Sequence, residues 1–135
     1  MRRTEPRSIQ GQFEGRVKDL APQITRQRLL VEGYYAIEVD RAAVDRYLHG
    51  VAAHLGLRTY AAATSCSPGG EGKAANQGYD AFLPLVDSGI ALYVWSAARF
   101  FSTILYTCRP FDAAAAIDFT RRFFDVRDEL ATLAF

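Results

Sequence analysis

Between Tyr79 and Cys108 the chain holds three apolar runs with little between them: Tyr79 to Asp87, Gly89 to Trp95 and Phe100 to Cys108. They are rich in β-branched and aromatic residues. The breaks are Ser88-Gly89 and a stretch of small residues, so the runs read as consecutive strands of an antiparallel meander. Pro84 has no N–H to give a ladder, which puts its strand on an edge or gives it a bulge.

The flanking segments supply cover for that sheet. Arg28 to Val39 (RLLVEGYYAIEV) reads as a largely buried strand interrupted by Glu32. Asp40 then caps a helix in which Val44, Tyr47, Leu48, Val51 and Leu55 recur at helical spacing, and Gly56 closes it. Leu57 to Thr64 reads as a further strand, and SCSPGGEGKAANQG after it as an irregular connection. Asp112 caps a second helix offering Ile117, Phe119, Phe123 and Phe124, and the tail ends in LATLAF. Residues 1 to 27 sustain no period and read as a basic polar arm, with at most a short helix near Phe13 to Leu20. This order predicts one α+β domain over 28 to 135. It is a two-layer sandwich, a mainly antiparallel sheet with two helices packed on one face.

Composition removes several classes of function. A chain of 135 residues, 50% hydrophobic and 23% charged, is a globular domain rather than a disordered one. Its net charge of +1 divides unevenly: residues 1 to 28 hold seven basic against three acidic groups, the remainder nine against twelve. Neither part has the broad basic surface of a nucleic-acid binder, so no nucleic-acid partner is expected. Asp80, Asp87 and Arg99 interrupt the most apolar region, leaving no stretch of the roughly 20 residues that spans a bilayer. The first residues lack the apolar core of a secretion signal. The expectation is a cytoplasmic protein without a membrane partner. Cys66 and Cys108 are too few for a disulfide framework and read as free thiols. His49 and His54 do not share one helical face, and the loop from Pro68 to Gly78 lacks a phosphate-cradling ending, so no metal or nucleotide-phosphate site is expected.

Three features carry potential chemistry: Glu32 within an apolar strand, the turn Asp87-Ser88-Gly89, and Cys108 at the end of the meander. If the last two meander strands pair as antiparallel neighbours, Ser88 and Cys108 meet although twenty positions separate them. On residue types alone each has a plainer role as well. Asp-Ser-Gly suits a tight turn, Cys108 a small buried apolar group, and Glu32 a paired or solvated group on an open sheet face. Arg99 and Arg109 flank the third run and are either surface residues or bidentate partners for a substrate carboxylate. Tyr34, Tyr35, Tyr60 and Trp95 can stack on a ring or fill a core.

From Arg28 to Phe124, the segments LLVEGYY ahead of an Asp-capped helix, VDSGIALYVW, and FFSTILYTC ahead of the last helix resemble the bacterial-type S-adenosylmethionine decarboxylases. These are small enzymes that process themselves. That family carries a Glu-Ser-His cleavage segment, a His five residues after the Ser, a Trp nearby and a Cys twenty residues after the Ser. Here those positions hold Asp87, Ser88, Gly89, Tyr93, Trp95 and Cys108. The resemblance implies self-cleavage between Asp87 and Ser88, conversion of Ser88 into a pyruvoyl cofactor, and Schiff-base decarboxylation of a substrate amine. Cys108 would donate a proton to the substrate carbon, and Glu32 would stand near the reactive centre. It also implies a homodimer.

The departures from the family pattern have chemical consequences. Tyr93 replaces the processing imidazole with a phenol, a far weaker base at neutral pH. Asp87 keeps a carboxylate but shortens it, and Gly89 in place of the next His frees the backbone. Ala97 stands where the family's ribose-binding Glu lies, and losing that carboxylate weakens nucleoside recognition. The implied substrate is therefore S-adenosylmethionine, for polyamine synthesis, or a drifted small molecule of amino-acid type. The alternative is a catalytically silent homologue that binds and regulates an active paralogue or binds a small ligand. A plain structural domain is a third reading.

Overall fold

A computed structural model describes residues 17–67 and 77–135. In chain order the elements are β1 (Gln27–Tyr34), α1 (Arg41–His54), β2 (Thr64–Cys66), β3 (Gly78–Leu85), β4 (Ser88–Trp95), β5 (Phe100–Thr107), α2 (Ala113–Phe124) and β6 (Ala131–Ala134). Six strands form one sheet in the order β2-β3-β4-β5-β1-β6, with every neighbouring pair antiparallel. The antiparallel meander of β3, β4 and β5 that the sequence predicts is present, and it lies within the sheet rather than at its edge.

Period-two alternation decides what each face of the sheet does. Leu29 and Val31, Leu83 and Leu85, Ile90 and Leu92, and Phe101 and Leu105 all point to one side and are buried there. Both helices lie on that side. Asp40 accepts from the Ala43 N–H at 2.8 Å to start α1, and Asp112 accepts from the Ala115 N–H at 3.1 Å to start α2. Gly56, with φ at +69°, closes α1 in the left-handed conformation that glycine tolerates best. The helices meet through Tyr47, which packs against Phe119, Phe123 and Phe124, while Phe124 stacks on Phe101 with ring centroids 4.1 Å apart. Of the apolar residues expected on α2, Phe124 is fully buried and Ile117, Phe119 and Phe123 are partly so; Ala116 and Thr120 are fully buried beside them. Tyr47 and Thr120 share a hydrogen bond of 2.8 Å in the core. Burial pushes the Tyr47 phenol up to about 12, with the hydrogen bonds to Thr120 and Thr103 opposing the shift.

Three elements differ from the sequence reading. The first strand stops at Tyr34 instead of reaching Val39, because its partner β5 begins at Phe100, opposite Tyr34. Beyond that point Tyr35 donates to the Arg99 carbonyl, Ala36 to the Phe124 carbonyl, and Ile37 and Val39 pack against the core as a connection. The strand expected over Leu57 to Thr64 is reduced to β2, which starts at Thr64, plus one bridge between Thr59 and Leu85. Pro84 is the reason. Its carbonyl accepts from the Tyr60 N–H at 2.8 Å, so its imide nitrogen faces that same flank and offers no donor to a ladder. The tail, to which sequence alone assigns no element, forms β6 along the outer edge of β1. Of the short helix considered over Phe13 to Leu20, residues 13 to 16 lie outside the described residues, and Val17 to Leu20 is not helical.

Candidate active site

Val86 and Asp87 form the two-residue link between β3 and β4, and Leu85 pairs with Ser88 across it. Asp87 has a φ of 58°, a left-handed conformation that costs a non-glycine residue about 1 to 2 kcal/mol. The strained residue is the one whose carbonyl precedes Ser88. Gly89 itself lies in regular β4, so the freedom expected of Gly89 is exercised two residues earlier, at Asp87. What the glycine provides is space: a Cβ at position 89 would approach Cζ of Phe82 to 2.4 Å.

The ladder between β4 and β5 runs from Trp95–Phe100 to Gly89–Tyr106, and it brings the ends of the meander together. Just past its last pair, the Cys108 N–H donates to Ser88 Oγ at 2.9 Å. Thr107 Oγ1 donates to the Arg109 carbonyl at 2.6 Å and holds the chain as it leaves β5. Ser88 and Cys108 are both half-buried, and Cys108 is a free thiol. A hydroxyl on the residue after a left-handed Asp87, with a thiol on the residue just past the end of the neighbouring strand, suits intramolecular acyl transfer at the bond between residues 87 and 88 and proton transfer beside it.

Ser88 borders two cavities. On the uncovered sheet face a depression of about 350 Å³ is lined by Phe82, Gly89, Ala91, Ile104 and Tyr106, with Asp87 and Ser88 at its end. A smaller notch of about 70 Å³ lies at the sheet end, where Arg58 and Arg109 meet Leu85, Val86 and Ser88. Phe82, Ile104, Tyr106 and Arg58 are not marked by sequence reasoning. The first three become visible only once the register is known, because Ala91 lies opposite both Phe82 and Ile104.

The remaining candidates lie elsewhere. Tyr93 is five residues along β4 from Ser88, about 17 Å at the usual rise per residue. It stands in a polar row across the open face formed by Asp80, Tyr93, Ser102 and Glu32, which follow one another in register. Glu32 accepts from Ser102 Oγ at 2.8 Å. Arg99 is at the opposite end of the sheet, donating from Nη2 to the Ile37 carbonyl at 2.8 Å with its guanidinium over the Tyr35 ring. Trp95 shares that far end, its ring 5.5 Å from Phe100. Within one chain the structure therefore brings Asp87, Ser88, Cys108 and Arg109 together and separates them from Glu32, Tyr93 and Arg99. Among the described residues, no three His, Cys, Asp or Glu side chains are grouped to hold a metal ion, and no helix is long and apolar enough to cross a membrane.

No family model matches the chain, and no curated protein does. Among solved structures it is similar to the adenosylmethionine decarboxylase from Aquifex aeolicus VF5. The TM-score is 0.65 at 15% identity, covering 83% of this chain and 89% of that one. The chain has the α+β sandwich fold of that decarboxylase. At this identity the likeness is one of fold.

Proposed function

We propose that this chain is a pyruvoyl-dependent decarboxylase related to the S-adenosylmethionine decarboxylases, and that it makes its own cofactor by cleavage between Asp87 and Ser88. Ser88 Oγ attacks the Asp87 carbonyl, the C–N bond opens, and an ester with a free amine results. Loss of the Cα proton of residue 88 and of the new α-carboxylate of Asp87, by cleavage of the Cβ–O bond, leaves dehydroalanine, and water then releases ammonia and leaves the ketone. The products are an 87-residue chain and a 48-residue chain whose first group is pyruvoyl. Such a ketone takes up a substrate amine and gives the electrons left by departing carbon dioxide somewhere to delocalise.

The observation that carries this reading is the 2.9 Å hydrogen bond from the Cys108 N–H to Ser88 Oγ. It ties the hydroxyl of Ser88, the residue after the left-handed Asp87, to the backbone of the residue that carries the Cys108 thiol. In the proposal Cys108 is the proton donor to the substrate carbon, and Arg109 holds a substrate carboxylate. Glu32 and Tyr93 are too far from Ser88 of their own chain to act on it directly. They enter the reading through a homodimer, in which Glu32 and Tyr93 of one copy face the Ser88 end of the other. The substrate is S-adenosylmethionine or a drifted amino-acid-type molecule, and the working compartment is the cytoplasm.

Intact-mass analysis of purified protein tests this. Two chains of 87 and 48 residues are expected, and Ser88→Ala is expected to remain one chain. A parent chain still whole after prolonged incubation would contradict the proposal, and cleavage of the Ser88→Ala variant at the same bond would contradict the assigned nucleophile.

A second reading is favoured by the separation of Tyr93 and Glu32 from Ser88, together with Ala97 at the ribose-binding position. It is a silent homologue that regulates an active, processed paralogue. Mixing the two would then raise the paralogue's activity, and the absence of any effect removes this reading.

A further inference from the structure

Ser88 is shared by two cavities of opposite chemistry, and together they describe a ligand. On one side the depression of about 350 Å³ has apolar walls from Phe82, Ala91, Ile104 and Tyr106, and among the described residues Asp87 is the only charged one lining it. On the other, the notch of about 70 Å³ brings Arg58 and Arg109 beside Ser88. None of the ion pairs among the described residues involves Arg58 or Arg109. We infer that position 88 serves an α-amino acid with an apolar side chain. The side chain would occupy the depression under Phe82 and Tyr106, and the carboxylate the notch between Arg58 and Arg109.

This deepens the decarboxylase reading and rests on position 88 being its reacting centre. Size separates the two ends: the notch admits a group as small as a carboxylate, while the depression has room for a leucine or phenylalanine side chain. Charge separates the alternatives. A sulfonium nucleoside brings a positive charge towards two guanidinium groups. An acidic side chain would enter a depression that offers it Asp87 and no cation. Phe82 sets the roof, since its ring lies against Gly89 and is half exposed on the other side.

Amide chemical shifts of the Ser88→Ala chain, which can form no ketone, test the pocket alone. Titration with L-phenylalanine is expected to move the amides of Ala91, Ile104 and Tyr106. Its affinity should exceed that of L-glutamate and of S-adenosylmethionine at least tenfold. Adding Arg109→Ala should weaken L-phenylalanine at least fivefold and leave 2-phenylethylamine, which lacks the carboxylate, unchanged. Adding Phe82→Ala should weaken both. No shift at these amides, or binding of L-glutamate or S-adenosylmethionine as tight as that of L-phenylalanine, overturns the inference. Hydrazide labelling of the parent chain reads the ketone separately. A labelled parent whose pocket shows no preference contradicts the substrate class alone. An unlabelled parent whose pocket prefers L-phenylalanine contradicts the decarboxylase and leaves the pocket as a ligand site.

Discussion

Two glycines of the meander illustrate how differently a single methyl group is felt. At Gly78 an added Cβ would come within 1.7 Å of the Val94 carbonyl oxygen, which belongs to the paired backbone of β4 and cannot yield without breaking the ladder. At Gly89 it would meet the outer end of the Phe82 ring, which is 47% exposed and can swing away. Gly78→Ala is therefore expected to cost more than about 3 kcal/mol in chemical denaturation, and Gly89→Ala about 1 kcal/mol. Phe82→Ala should remove most of the Gly89→Ala penalty in a double-mutant cycle. Equal costs at the two positions would contradict the packing described. At this scale the candidate site is half legible in sequence. The encounter of Ser88 with Cys108 follows from hairpin pairing alone, because antiparallel neighbours must bring such ends together. The distance from Ser88 to Tyr93 and Glu32 does not, because it needs the register and the knowledge that a straight strand separates them.

Among elements, the helices were the most legible and the sheet edges the least. Asp40 and Asp112 cap their helices through their own side chains, a local interaction that sequence spacing reports directly. The end of β1, the shortness of β2 and the existence of β6 depend on what lies alongside. β1 loses its partner at Phe100, β2 meets the donorless Pro84 flank, and β6 exists only because β1 presents an unpaired edge. Between the helices, Tyr47 supplies a test by pH. Its phenol is about 12 in the folded chain against 10.0 for the free group, so the folded state holds the proton more tightly than the unfolded state. The stability this represents is complete below pH 10 and is lost as pH rises towards 12. At neutral pH Tyr47→Phe should cost about 1 kcal/mol for the lost hydrogen bond to Thr120. Above pH 10 the difference should shrink and then reverse, because only the parent has a buried phenol to ionise. A constant difference from pH 7 to 12 would contradict the burial of that hydroxyl.

For the molecule as a whole, the unequal faces of the sheet matter most. One is sealed by two helices. The other bears an apolar row from Phe82 through Ala91, Ile104 and Leu30 to Leu133, with Phe82 and Leu133 almost half exposed. The two-layer α+β class was readable from the order of apolar periods, since both helices had to cover one side of a single sheet. That the opposite side is also apolar was concealed by the short alternations of each strand, and it appears only when the strands are set in register. In the proposed homodimer the part of this face around Leu30 and Leu133, away from the depression beside Phe82, is the contact. Light scattering at micromolar concentration should give twice the 15.0 kDa chain mass, and Leu133→Glu should return the single-chain value without loss of the fold. A parent that scatters as one chain would contradict the homodimer. The central claim is that Ser88 becomes a ketone, and labelling freshly purified protein with a hydrazide probe followed by intact mass reads it most directly. A 48-residue fragment carrying one label at its first residue is the expected result. An unlabelled chain of full length would contradict it.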